Sequence, residues 1–141
     1  MPSATPAEVL DRRRHLTLNG DADGLADLFA PDAVLEFSFH GPPGTPVRLE
    51  GREAIREYSR NVIASPLRVE EYEVAELYQT QDPEVVVVEI RAKATLTATG
   101  RSLTATSIQV LRIRDGHIAL WRDFADPRLL EVVTGESSHE S

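Results

Sequence analysis

A chain of 141 residues, 41% hydrophobic and 27% charged, has the size and balance of one soluble globular domain. A net charge of −8 and an isoelectric point near 5.0 argue against nucleic acid or an anionic membrane as the main partner, since either needs a concentrated basic surface. Cysteine is absent, no apolar run approaches the roughly 20 residues of a spanning helix, and the start has no apolar core like that of a secretory signal, so cytoplasmic residence is the expectation.

The chain opens loosely through Pro2, Ser3 and Thr5. A first helix is expected from Pro6, with Thr5 as its cap and Glu8 at capping-box distance. Val9, Leu10, Arg13, Leu16 and Thr17 form its inner stripe. The basic run Arg12, Arg13, Arg14 points in three directions on a helix and makes no phosphate-gripping stripe. Arg13 stands where a leucine would be unremarkable. A stem along the core with its head in water is the plain expectation, and a pocket or an acid is the other destination.

Asn19-Gly20-Asp21 ends that helix and caps a second, Ala22 to Ala30, with Leu25, Leu28 and Phe29 inward. Pro31-Asp32 reads as a turn into a strand, Ala33 to Phe39, whose apolar face is Leu35, Phe37 and Phe39. His40 to Pro46 is a loop, because its prolines lack donors and its glycines lack constraint. Gly51 to Tyr58 starts a third helix that places Ile55, Tyr58, Val62 and Ile63 on one face and closes at Ser65-Pro66.

The remainder reads as sheet. Leu67 to Tyr78 and Val85 to Thr97 are strands; in the second, Val86, Val88, Ile90, Ala92 and Ala94 alternate with Val87, Glu89, Arg91, Lys93 and Thr95. Thr99-Gly100-Arg101 turns into Ser102 to Arg114, and Asp115-Gly116 is a strong hairpin signal leading into Ile118 to Pro127. On that last strand Ala119, Trp121, Asp123 and Ala125 share one face, leaving a carboxyl between an indole and a methyl. Such an acid is paired, wet, or kept for chemistry with a raised pKa. Pro127 to Val133 resembles a short helix, and the tail from Thr134 is expected to fray. One domain over residues 1–133 with a loose tail, 134–141, is the resulting expectation.

Helices gathered ahead of an antiparallel sheet imply an α+β roll: a curved, mostly antiparallel sheet, conical and barrel-like, wrapped around three N-terminal helices. The inner face of such a sheet encloses a cavity. Leu35, Phe37, Phe39, Tyr58 and Trp121 are candidates for its wall. Ser107 and Gln109 face the same way as Asp123 by strand parity.

The stretches GDADGLADLFAPDAVLEF, GREAIREY and RIRDGHIALWRDFADP resemble the SnoaL-like group of the nuclear transport factor two-like superfamily, which also holds ketosteroid isomerases and limonene-epoxide hydrolases. The resemblance spans roughly residues 7 to 133. It implies the same α+β roll, commonly homodimeric through the outer sheet face. WRDFAD resembles the tryptophan–arginine–aspartate segment of the epoxide hydrolases, whose aspartate activates water, and the acid/base aspartate of SnoaL-type cyclases lies on the same strand. Both comparisons select Asp123. The remaining hydrolase positions fall on Ile90, Ala92, Leu35 and Phe37, which carry none of that chemistry. The ketosteroid isomerase positions for base, oxyanion tyrosine and protonated acid fall on Phe37, near Arg13 and on Gln109.

These residues suggest a site in which Asp123 is a general acid/base while Gln109, with Arg13 or His40, steadies an oxygen. A lone loop histidine such as His40 is more simply solvated; at a pocket mouth it would be a second acid/base. No histidine–carboxylate spacing suits a metal, and no cofactor is called for. The substrate would be a small hydrophobic molecule of polyketide, terpenoid or steroid type. An isomerase or cyclase is the first reading, an epoxide hydrolase the second, and a non-catalytic dimeric ligand-binding domain the third.

Overall fold

The first helix, α1 (Pro6–Leu18), begins as its sequence dictates: the Thr5 hydroxyl accepts from the Glu8 amide at 3.2 Å, and the Glu8 carboxylate accepts from the Thr5 amide at 2.8 Å. Gly20, at φ +67°, takes the left-handed conformation that stops it. The computed structural model describes residues 4–41 and 44–126. The proposed short helix 127–133, the tail and the outer limit of the domain lie outside the described residues.

The second helix, α2 (Ala22–Asp27), is shorter than its sequence suggested. Phe29 and Ala30 belong instead to the first strand, β1 (Phe29–Phe37), and Pro31-Asp32 is not a turn but part of an irregularity within that strand. The reason lies in pairing. A proline cannot donate to a ladder, and the register of β1 against its neighbour shifts between Phe29 and Val34, where the donor is not needed. A short edge strand, β2 (Val47–Glu50), follows and pairs antiparallel with β1; four exposed or half-exposed residues next to a proline-rich loop carry too little pattern to announce it. Then come α3 (Arg52–Ala64), β3 (Leu67–Gln79), β4 (Val85–Leu96), β5 (Ser102–Arg114) and β6 (His117–Phe124). Arg52 donates to the Phe29 carbonyl at 2.8 Å, docking the start of α3 on the irregular part of β1.

The six strands form one curved sheet in the order β2-β1-β6-β5-β4-β3. It does not close into a barrel: β2 and β3 are its edges. All pairings are antiparallel except β1 with β6, which run parallel. Asp115 (φ 53°) and Gly116 (φ 76°) build the tight β5–β6 turn. Two register shifts interrupt β3 against β4, between Val69 and Glu71 and between Val74 and Glu76. They keep Leu67, Val69, Tyr72, Val74 and Leu77 on the concave face despite alternating gaps of two and three residues.

The concave face is divided along its length. At the β5–β6 turn it carries Val86, Val88, Leu111, Ile113 and Ile118, packed with Val9, Leu10, Leu28, Phe29 and Ile55 into the core. Toward the other end the inward positions become small or polar: Ala92 and Ala94 on β4, Ala105, Ser107 and Gln109 on β5, Asp123 on β6. Side chains of that size do not fill the space beneath the helices, and a cavity of about 630 Å³ remains. On the convex face Glu89 bonds the Tyr78 hydroxyl and Arg91 pairs with Glu73 at 3.3 Å, so both point away from the cavity as β4 parity predicts.

Candidate active site

Asp123 reaches the cavity because β6 is held on both sides. Its cross-strand partner on β5 is Gln109, its parallel neighbour on β1 is Phe37, and its carbonyl accepts from the Ser38 amide at 3.0 Å. The side chain is 9% exposed. Burial pushes its carboxyl up to about 6, against the opposing charge of Arg13, the Ala125 amide and Gln109. The Gln109 amide nitrogen donates to Asp123 Oδ2 and to Ser107 Oγ, each at a long 3.4 Å. Asp123 Oδ1 has no partner within the described protein.

Arg13 departs most from expectation. The snorkelling reading is wrong: the residue is 1% exposed, with its guanidinium carbon 4.6 Å from the centroid of the Trp121 ring and 5.4 Å from that of Tyr72. Trp121 in turn stacks on Phe29 at 5.8 Å. None of the three guanidinium nitrogens finds a hydrogen-bond acceptor among the described residues; Trp121 Nε1 likewise lacks an acceptor, and Gln109 Oε1 lacks a donor. The Arg13 guanidinium, Gln109, Trp121 and Asp123 thus bring buried polar atoms without protein partners among the described residues to the wall of one cavity.

The structure brings Asp123, Gln109, Arg13, Ser107, Trp121, Tyr58 and Leu35 together on the cavity wall. Tyr58 has its phenol pushed up to about 12, first by burial and then by the nearby Asp123 charge and Tyr72. Three expected members are elsewhere. Phe39 lies beyond the end of β1 and is 59% exposed, its ring edge-on to Phe124 on the convex side. Phe37 packs behind the wall, its ring 5.3 Å from Tyr58 and 5.3 Å from His40. His40 is half-buried and stacked on Phe37, its Nε2 is buried without a partner among the described residues, and burial lowers its pKa; it does not line the cavity.

Sequence reasoning missed Tyr72 as a wall residue, since strict alternation from Val69 puts it on the convex face; only the bulge after Val69 turns it inward. The signal was present as the uneven spacing of apolar residues between Leu67 and Leu77. The run of small residues at the inward positions of β4 and β5 was the corresponding signal for the cavity itself. No group of three or more histidine or acidic side chains among the described residues could hold a metal ion.

A curved, unclosed sheet over three helices, with one acid at the inner end of an apolar chamber, defines a protein of the nuclear transport factor two-like class with a ketosteroid-isomerase-like fold. Within that class the chain belongs to the SnoaL-like domain family, whose model matches residues 13–121. It is 42% identical over 129 residues to an uncharacterised PhzA/B-like protein of Pseudomonas aeruginosa, covering 91% of this chain and 89% of that one. Its fold is similar to that of a Bacillus subtilis protein provisionally described as an isomerase, with a TM-score of 0.81, 26% identity and coverage of 92% and 91%. A further likeness, of fold alone, is to SalBIII, an epoxide hydrolase/cyclase-like enzyme of pyran ring formation in salinomycin: TM-score 0.68, 24% identity, covering 85% of this chain and 89% of that one.

Proposed function

We propose that the protein is an isomerase- or cyclase-type enzyme in which Asp123 is the general acid/base acting on a hydrophobic small molecule. The observation that carries this reading is the state of that one carboxyl: buried, raised to about 6, with one oxygen oriented by Gln109 and the other without a side-chain partner among the described residues. A base with that value is ionised in most copies at neutral pH, yet returns its proton readily. It can remove a proton next to a carbonyl and deliver it to another atom of the same substrate. The oxygen that becomes negative in between would be held by the N–H donors of Arg13, which are already desolvated and need little reorganisation, or by a Gln109 N–H turned from its long 3.4 Å bond. Carboxyl and N–H donors suffice for that chemistry, without help from a metal or organic cofactor.

Epoxide opening by water is less well supported. The positions that would hold and orient the water carry Leu35, Phe37, Ile90 and Ala92; Leu35, Ile90 and Ala92 form apolar wall. Asp123→Asn tests the proposal, because it keeps the shape and removes the exchangeable proton. Turnover should fall by about 10²- to 10⁴-fold with binding retained, and the native rate should climb with pH through an apparent pKa near 6. Full activity in Asp123→Asn would overturn this role of Asp123, whereas saturable binding without turnover in the native protein would leave the ligand-binding reading in its place.

A further inference from the structure

The charge inside the cavity has a receiving end as well as a reacting one. Arg13 comes from the middle of α1 with its whole guanidinium buried, held by two aromatic faces and hydrogen-bonded to nothing among the described residues. Aromatic faces offset part of the cost of burying a cation, but they satisfy none of its N–H donors. Asp123 is the acid beside it, yet burial still holds the Asp123 carboxyl well above an ordinary aspartate, and among the described residues its only side-chain hydrogen-bond donor is Gln109. An arginine so placed, facing a chamber lined by Ala92, Ala105, Leu35 and Ile90, matches one flat, singly charged group with two oxygens.

We propose that the cavity binds a small apolar molecule bearing a carboxylate, with the carboxylate on the Arg13 guanidinium and the apolar body along β4 and β5. A carboxylate suits the site better than a phosphate, because one buried cation balances one charge and no second cation lines that inner end among the described residues. Arg68, the other arginine on the wall, is an exposed residue at the start of β3. The proposal names the substrate class for the same chamber and rests on its being a small-molecule site; it does not need Asp123 to turn the ligand over.

A consequence concerns protons. The groups facing Asp123 are Arg13 from α1, Tyr58 from α3, Tyr72 from β3, and Ser107 and Gln109 from β5. Of these only Arg13 is charged at neutral pH, so a carboxylate that occupies it leaves Asp123 without its opposing charge and beside a like one. Asp123 then takes up a proton on binding, and a rise in pH returns it to the basic form from which the proposed reaction starts.

The test uses a matched pair without absorbance near tryptophan, adamantane-1-carboxylate and adamantane-1-carboxamide. Trp121, the single tryptophan of the chain, reports occupancy by fluorescence beside Arg13. The carboxylate should bind the native protein about tenfold or more tightly than the amide. Arg13→Met should reduce that ratio to near one, and Arg13→Lys should keep part of it. Between pH 6 and 8 the carboxylate affinity should weaken as pH rises, and in Asp123→Asn this dependence should vanish while binding persists. Equal affinity for the two probes, no saturable carboxylate binding, or a carboxylate preference that survives Arg13→Met would overturn the assignment; a pH-independent affinity in the native protein would remove the anion from the side of Asp123. The comparison in the native protein stands even if Arg13→Met does not fold. The two proposals separate cleanly. Carboxylate preference with full turnover in Asp123→Asn would sink the catalytic reading alone, and Asp123-dependent turnover of neutral substrates without carboxylate preference would sink this one alone.

Discussion

Asp123 is a residue the protein maintains at a cost. Burial raises its folded-state pKa to about 6 from an ordinary 3.8, so between those values the folded chain holds a proton that the unfolded chain has released. Stability from this group is therefore greatest at low pH and is lost as pH rises through about 6. Above that the ionised form costs on the order of 3 kcal/mol, from about 1.4 kcal/mol per unit. Asp123→Asn should accordingly be the more stable protein in denaturant titrations at pH 8, with the difference shrinking toward zero near pH 4. Equal stabilities at pH 8 would mean that the carboxylate is better solvated than its surroundings allow. Stability and activity thus move in opposite directions at one position, as expected where a group is kept for chemistry. The parity of IALWRDFADP placed Asp123, Trp121 and Ala125 on one face, and side-chain period alone was enough for that. The destination of Arg13 was not legible, because a helical stripe says which way a side chain leaves but not what it meets.

At the scale of elements, β3 decides the shape of the chamber. A strand without its two register shifts would turn either Val69 or Tyr72 outward and would lie flatter over the helices. Deleting Glu71 removes the extra residue of the first bulge, so the strand should run in strict alternation with Leu67, Val69, Tyr72 and Val74 still inward and lose only its local twist. The urea midpoint should therefore report a loss of no more than about 1 kcal/mol, since no apolar side chain is misplaced. A loss of about 3 kcal/mol would show that the bulge itself, and not side-chain parity, holds the strand. The helices were easier to read. The Thr5–Glu8 capping box and Gly20 specify the limits of α1 through local hydrogen bonds and backbone freedom, which need no distant partner. β1 was harder, since Pro31-Asp32 has turn chemistry by itself and becomes strand only because β6 and the start of α3 dock on it.

For the whole molecule, the convex face of the sheet poses the remaining question. Ile108 is 42% exposed opposite Phe124, which Phe39 touches edge-on, and Val87 pairs with Val110 beside them. Apolar side chains gathered at the middle of a sheet face are what a second copy would cover. We propose a homodimer through this face. Sedimentation should give twice the 15.6 kDa chain mass, and Ile108→Glu should return the single-chain value; a native monomer at micromolar concentration would dismiss it. Among the described residues no helix is long and apolar enough to cross a membrane.

By itself the sequence determined the fold class and the face on which Asp123 sits, because these follow from local caps, hairpin turns and a two-residue period that each segment carries alone; the family came from the resemblance of three stretches, the last of them RIRDGHIALWRDFADP. The tertiary structure decided that the Arg13 head is buried, that Phe39 and His40 stay outside the chamber and that Tyr72 enters it. Those outcomes depend on where bulges fall and on which small side chains face one another across strands. Apart from the Phe37–His40 stack, they are settled by contacts between distant elements, such as Arg13 with Trp121 and Tyr72 with Ala92, and no single segment contains them.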